Sequence, residues 1–260
     1  MRIFDSHCHL DDRSYDHDRQ DVLARARKAG VVAVMIIGTD RSSSGNAVRL
    51  AAENGGCFAS VGVHPHDARN CNDEVLDGLR QLALADQVRA WGEIGLDFNR
   101  MYSPQATQER WLVRQLQVAR GMGKPLIFHE RDTSGRFLDL LSAHADDGLR
   151  GVIHCFTGSR QELYRYLDLG LCIGITGILT MKRRGAPLRE MVSAIPADRL
   201  LVETDAPYLT PAPEKNRTRR NEPAFVRTVL LKLAAVRRDD PEILAESLWK
   251  NTCRLFGIDV

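Results

Sequence analysis

Eight short apolar segments alternate with longer amphipathic stretches along the chain, and most of those segments end in a histidine or a carboxylate. Together these features predict an α/β fold, a single-domain TIM-like (β/α)8 barrel. A length of 260 residues suits one such barrel. No linker, low-complexity tract or short-period repeat divides the chain, so one domain is expected over residues 1–260. An open doubly wound sheet is the competing arrangement. No G-x-G-x-x-G follows the first segment, so nothing supports a dinucleotide site.

The strand segments, in order, are 2–5, 31–38, 58–63, 90–96, 125–129, 151–154, 172–176 and 200–203. They are short, rich in Val and Ile, and bounded by Gly, Pro or charge. Helical periodicity runs through 16–28, 42–53, 73–85, 104–122, 134–144, 160–169, 188–194, 223–237 and 241–256. In 104–122 the residues Trp111, Leu112, Gln115, Leu116 and Ala119 share one face. Gly30, Gly123 and Gly170 stand where helices should stop.

Composition excludes several classes. A hydrophobic share of 43% is too high for a disordered chain. The longest apolar run, 31–37, is too short to span a membrane, and residues 1–5 show no apolar signal region. The six cysteines form no C-x-x-C pair. Cys8, Cys57, Cys155 and Cys172 lie in apolar strand-like runs, as reduced core cysteines do, and a cytoplasmic protein is expected. A net charge of +2 neither requires nor excludes an anionic partner, so local clustering decides.

Six of the eight histidines fall at strand ends: His7, His9, His64, His66, His129 and His154. In a barrel the carboxyl ends of the strands form one face, so residues distant in sequence converge there. His7 and His9 are two apart on an extended segment and point the same way, able to share one cation, while Cys8 between them turns outward. Glu93 and Asp205 supply carboxylates at the fourth and eighth strands. The candidate ligands are then His7, His9, Glu93, His129, His154 and Asp205. Six ligands exceed one tetrahedral zinc with an open position and suit two divalent metal ions. Zinc, manganese or magnesium are the candidates. Mixed nitrogen and oxygen donors suit zinc, manganese or iron better than magnesium.

At these positions the chain resembles the TatD family of metal-dependent deoxyribonucleases, within the amidohydrolase-like barrels. The matching segments are FDSHCHLD (4–11), GVHPH (62–66), GEIGLDF (92–98), the region of His129 and Arg131-Asp132, HCFTGS (154–159), ETDAPYL (203–209) and RNEP (220–223). They follow the family's order over nearly the whole chain. The resemblance implies a barrel that hydrolyses phosphodiester bonds of DNA, acting as a 3′-5′ exonuclease, and the same six metal ligands. It also points to DNA, single-stranded or at 3′ ends, as the partner. A monomer with no membrane attachment is expected. A carboxylated lysine often bridges the metals in the wider superfamily; here Glu93 stands on the corresponding strand. Glu130, directly after His129, departs from the small or polar residue expected in this family, and strand alternation turns it away from the metals.

The expected chemistry is attack on phosphorus by a two-metal activated water. Asp205 orients that water and accepts its proton, with Glu203 as a second catalytic candidate or a buried partner for a base. His64 contacts the phosphate or orients a ligand. Basic residues follow the seventh strand (Lys182, Arg183, Arg184) and the eighth (Lys215, Arg217, Arg219, Arg220), where barrels often bind phosphate. Arg219, Arg220 and Arg131 are substrate-binding candidates; a structural pair with Asp132 is the other reading of Arg131. Phe98, Tyr102, Phe156 and Tyr208 are aromatics near strand ends that suit base stacking or core packing. The alternative function is an amidohydrolase or lactonase using the same metals on a small carbonyl substrate. A non-catalytic binding protein would not need six converging polar residues.

Overall fold

The computed structural model describes residues 1–144 and 148–259. Its strands are β1 (Ile3–Cys8), β2 (Val31–Ile36), β3 (Cys57–Val61), β4 (Val88–Asp97), β5 (Leu126–Arg131), β6 (Gly151–Ile153), β7 (Cys172–Ile175) and β8 (Leu200–Val202). They form one sheet in chain order. A parallel bridge from Cys8 to Ala206 joins the first strand to the chain leaving the last. This is the TIM-like barrel that the alternation predicts. The helices are α1 (Arg19–Lys28), α2 (Arg41–Glu53), α3 (Asp73–Leu82), α4 (Gln105–Gly121), α5 (Arg136–His144), α6 (Arg160–Asp168), α7 (Ala186–Met191), α8 (Val226–Arg237) and α9 (Pro241–Phe256). Each falls on a predicted helical stretch. The largest delays in start, three residues each, are at α1 and α8. Residues 13–18 form a tight turn before α1, and Pro223–Phe225 form a 3-10 turn before α8.

Backbone contacts group into two compact units. One comprises 1–36, 155–157 and 173–260, and the other 37–154 and 158–172.

The first unit carries β1, β2, β7 and β8. Phe4 on β1 packs its ring 6.0 Å from Trp249 and 6.2 Å from Phe256, both on α9. Burying such side chains stabilises by roughly 1.5–3 kcal/mol each. The buried Asp5 carboxylate accepts from the Thr204 backbone N–H at 2.8 Å and its hydroxyl at 2.6 Å. The seam beyond β8 continues with Asp205 N–H to His7 O at 2.9 Å and His9 N–H to Ala206 O at 2.8 Å.

The second unit carries β3 to β6. Phe128 on β5 meets Phe137 on α5 edge to face at 5.4 Å. Two buried glutamines on α4 act as polar anchors. Gln115 bonds both Val63 N–H and Val63 O, at 2.8 and 3.0 Å, and accepts from the Trp91 indole. Gln108 does the same for Asp97, at 2.8 and 3.1 Å. Such bonds satisfy the backbone groups of Val63, just past β3, and of Asp97, at the end of β4.

Candidate functional site

In the first unit, β1 delivers His7 and His9 to one side. Their Nε2 atoms lie 3.4 Å apart. Asp205 Oδ1 stands 3.7 Å from His7 Nε2 and 3.4 Å from His9 Nε2. Ligands bound about 2.0–2.1 Å from one zinc in a tetrahedron lie about 3.4 Å apart. The donors and their spacing therefore fit one divalent cation. Asp205 adopts φ +57°, a left-handed conformation that costs an ordinary residue about 1 kcal/mol or more. Its backbone bond to His7 O holds it there. Cys8, between the histidines, is fully buried with Sγ 3.7 Å from Ala206 O.

Glu203 is also fully buried. Its Oε1 accepts the Cys155 backbone N–H at 2.6 Å, and Oε2 accepts the Ser6 hydroxyl at 3.3 Å. Those partners are not the basic residue that one reading of the sequence suggests. Room for the carboxylate comes from Gly174, where a Cβ would lie 2.7 Å from Oε1.

The second unit holds the rest. Gly92 and Gly95 flank Glu93, both at φ +153°. A Cβ on Gly95 would fall 1.8 Å from His129 O, so only glycine lets β4 lie this close to β5. The strand register shifts between Trp91 and Ile94, as at a bulge, which re-aims a side chain. Glu93 Oε1 then meets His129 Nδ1 at 2.9 Å and His64 Nε2 at 3.5 Å. Asp97 Oδ2 meets His66 Nε2 at 2.8 Å and His129 Nε2 at 3.1 Å. Potential ligand atoms of His64, His66 and His129 lie within 4.8 Å of one another. His154, buried at the end of β6, is set by its N–H bond to Phe128 O at 2.9 Å.

These surroundings move the titrations in different directions. Burial lowers the His64 pKa to about 4, against the pull of Glu93. Burial also opposes charge on His129, but hydrogen bonds to Asp97 and Glu93 prevail and raise it to about 9. Asp97 is held well below the usual carboxylate range because hydrogen bonds from His129 and His66 outweigh its desolvation. Burial lifts Asp5 to about 8, despite the Thr204 bonds.

The remaining candidates separate clearly. Arg220 is committed elsewhere in the first unit. It grips Asp18 at 2.8 and 2.6 Å, donates to Ser14 O, and stacks on Tyr15 at 4.9 Å. These contacts occupy the Arg220 guanidinium. Arg219 is exposed. Arg131 is half-buried and makes no ion pair among the described residues; Asp132 instead accepts from Asn99 at 2.7 Å. Glu130 turns to Thr133, accepting its hydroxyl at 2.7 Å. Of the aromatics, Phe156 is core. Tyr102 and Tyr208 are half-exposed, with rings 4.8 Å from His66 and 5.8 Å from His9 respectively.

Sequence reasoning missed Asp5, Asp97 and Thr204, and it left His66 outside the ligand set. The FD and LD steps that open and close their segments were the available signal, since a carboxylate inside an apolar strand needs a buried partner.

Comparison with known proteins matches this architecture. The model of the family described as TatD related DNase matches residues 4–257. A Rahnella protein named 3′-5′ ssDNA/RNA exonuclease TatD is 44% identical, over 98% of both chains. Its namesake in Klebsiella pneumoniae is also 44% identical, over 99% of both. A crystal structure of a TatD homolog from Escherichia coli K12 superposes with a TM-score of 0.92 at 31% identity, covering 99% of each chain. The chain belongs to the TatD-related DNase family.

Proposed function

We propose that this protein is a metal-dependent 3′-5′ exonuclease acting on single-stranded DNA and RNA. The observation that carries this reading is the convergence of His7 Nε2, His9 Nε2 and Asp205 Oδ1 at spacings that suit one divalent cation. Family membership and the names of full-length relatives supply the substrate class.

The proposed ligands are His7, His9 and Asp205 in the first unit and Glu93, His129 and His154 in the second. Two divalent ions, zinc, manganese or magnesium, are proposed. Bound divalent ions lower the pKa of water towards about 7 and polarise phosphoryl oxygen. Asp205 orients the attacking water and accepts its proton. Glu203, which accepts from Cys155 N–H and the Ser6 hydroxyl, is the second catalytic candidate. His64, kept neutral by burial, orients Glu93. Arg131 and Arg219 supply positive charge for the phosphodiester.

A monomer is proposed. All six cysteines are free, which suits the reducing cytoplasm. No helix among the described residues is long and apolar enough to cross a membrane.

The test is a substrate panel with Mg²⁺, Mn²⁺ or Zn²⁺ added to the stripped protein: single-stranded DNA, RNA, p-nitrophenyl acetate and a simple lactone. Hydrolysis of the nucleic acids, absent in Asp205→Ala, is expected. Turnover of the ester and lactone alone would overturn the reading in favour of a carbonyl hydrolase.

A further inference from the structure

The first unit presents six exposed cations on two loops: Lys182, Arg183 and Arg184 after β7, and Lys215, Arg217 and Arg219 after β8. None of the six is ion-paired among the described residues. Two arginines of the same unit are neutralised instead, Arg25 by Glu222 and Arg220 by Asp18. Glu190 and Glu214 are the carboxylates nearest Arg184 and Lys215 in sequence, and Glu214 is taken up by the Thr228 hydroxyl.

The loops are built rather than loose. Arg189 donates to three successive parts of the β7 loop: Leu179 O at 2.8 Å, Met181 O at 2.8 Å and Lys182 O at 2.7 Å. Thr180 Oγ1 accepts Ala212 N–H at 2.9 Å and so ties that loop to the one after β8. A Cβ on Gly177 would lie 2.3 Å from Leu209 O, so the two loops meet as backbone against backbone. In the second loop the Thr210 hydroxyl donates to Arg219 O at 2.8 Å.

One feature connects this surface to the His7–His9–Asp205 group in the same unit. Tyr208, 54% exposed, stands beside His9 and is fixed at its carbonyl by Asn221 Nδ2 at 2.6 Å. An exposed ring on a loop that also carries exposed cations is the combination that binds unpaired strands, with bases stacking and phosphates tracking the charge.

We propose that the β7 and β8 loops form a docking track for a single strand beyond the scissile link, with Tyr208 stacking a base at its start. This rests on the nuclease reading for its ligand but not for its test. A strand held this way stays bound between cleavages, and duplex is disfavoured because its bases cannot reach Tyr208.

Fluorescence anisotropy with labelled oligothymidines of two to twelve nucleotides, in EDTA, isolates binding from hydrolysis. Wild-type affinity should rise with length. Lys182→Ala/Arg183→Ala/Arg184→Ala and Lys215→Ala/Arg217→Ala/Arg219→Ala should each flatten that rise. Each should also reduce the slope of log Kd against log salt by about 0.7 for every phosphate no longer neutralised. Tyr208→Ala should weaken binding about tenfold or more without changing the salt slope, and Tyr208→Phe should restore it. A control, Arg41→Ala/Arg49→Ala/Arg80→Ala, removes equal charge from exposed residues of the second unit and should leave binding unchanged.

The proposal is overturned if wild-type binding does not grow with length, or if the loop variants bind like wild type. It is equally overturned if the control loses as much, or if polyglutamate or duplex of equal charge competes as well as the oligonucleotide. Absence of metal-dependent cleavage, with this binding intact, would instead count against the nuclease reading.

Discussion

The Asp5 carboxylate takes both hydrogen-bond donors of Thr204, the backbone N–H at 2.8 Å and the hydroxyl at 2.6 Å. Asp5 lies two residues before His7, and Thr204 directly precedes Asp205. One buried bidentate contact therefore sets the spacing of two proposed ligands.

Thr204→Val keeps the side-chain shape but leaves an Asp5 oxygen unsatisfied, at a cost of about 1–3 kcal/mol. For a chain of this size we expect Tm to fall by roughly 2–10 °C. Metal affinity should fall with it, because His7 and Asp205 lose their common reference. Calorimetry and metal titration check both. A variant with lowered Tm and unchanged metal affinity would show that the contact serves the fold alone.

Gly95→Ala is expected to be severe. The added Cβ would sit 1.8 Å from His129 O, and flexible side-chain movement cannot relieve contact with backbone. We expect a loss of about 3 kcal/mol or more, read as a Tm drop of roughly 6 °C or more. Metal content should also fall, since β5 carries His129. Wild-type stability in this variant would contradict the close β4–β5 approach.

Arg219 and Arg220, adjacent in sequence, should behave differently. Arg220→Ala breaks the Asp18 pair and the Tyr15 stack, and should lower Tm with little change in KM. Arg219→Ala should leave Tm unchanged and raise KM for DNA severalfold, more at low salt than at high salt. Equal effects of the two changes on KM would contradict this division.

The same network predicts acid sensitivity. Hydrogen bonds from Arg220, joined by Arg25, hold Asp18 at a pKa of about 2, below its ordinary 3.8. A carboxyl depressed by folding stabilises above its unfolded value and loses that contribution as pH falls through the folded one. The Tm gap between wild type and Asp18→Asn should be full at neutral pH, shrink below 3.8 and close near 2. A gap that persists at the lowest pH would show that packing, not charge, holds the loop.

Much of this was legible in the sequence. The strands announced themselves as Val/Ile runs, and the proposed ligands stood at their ends because a barrel collects its polar residues there. His7 and His9 needed only the two-residue period of a strand. The residues that hold those ligands were harder to read. Asp5 finds Thr204 and Arg220 finds Asp18 across some two hundred residues of chain, and neither motif names its partner. Glu93 is aimed by the flanking glycines, whose φ of +153° no periodicity reveals. Arg220 read as free cationic surface because a charge run looks the same whether solvated or paired.

The central claim is metal-dependent removal of nucleotides from the 3′ end. The most direct test incubates 5′-labelled single-stranded DNA with stripped protein reloaded with Mg²⁺, Mn²⁺ or Zn²⁺, and follows the product ladder. The account predicts progressive shortening from the unlabelled end, abolished by EDTA and by Asp205→Ala. Immediate release of labelled mononucleotide, or shortening that persists without metal, would contradict it.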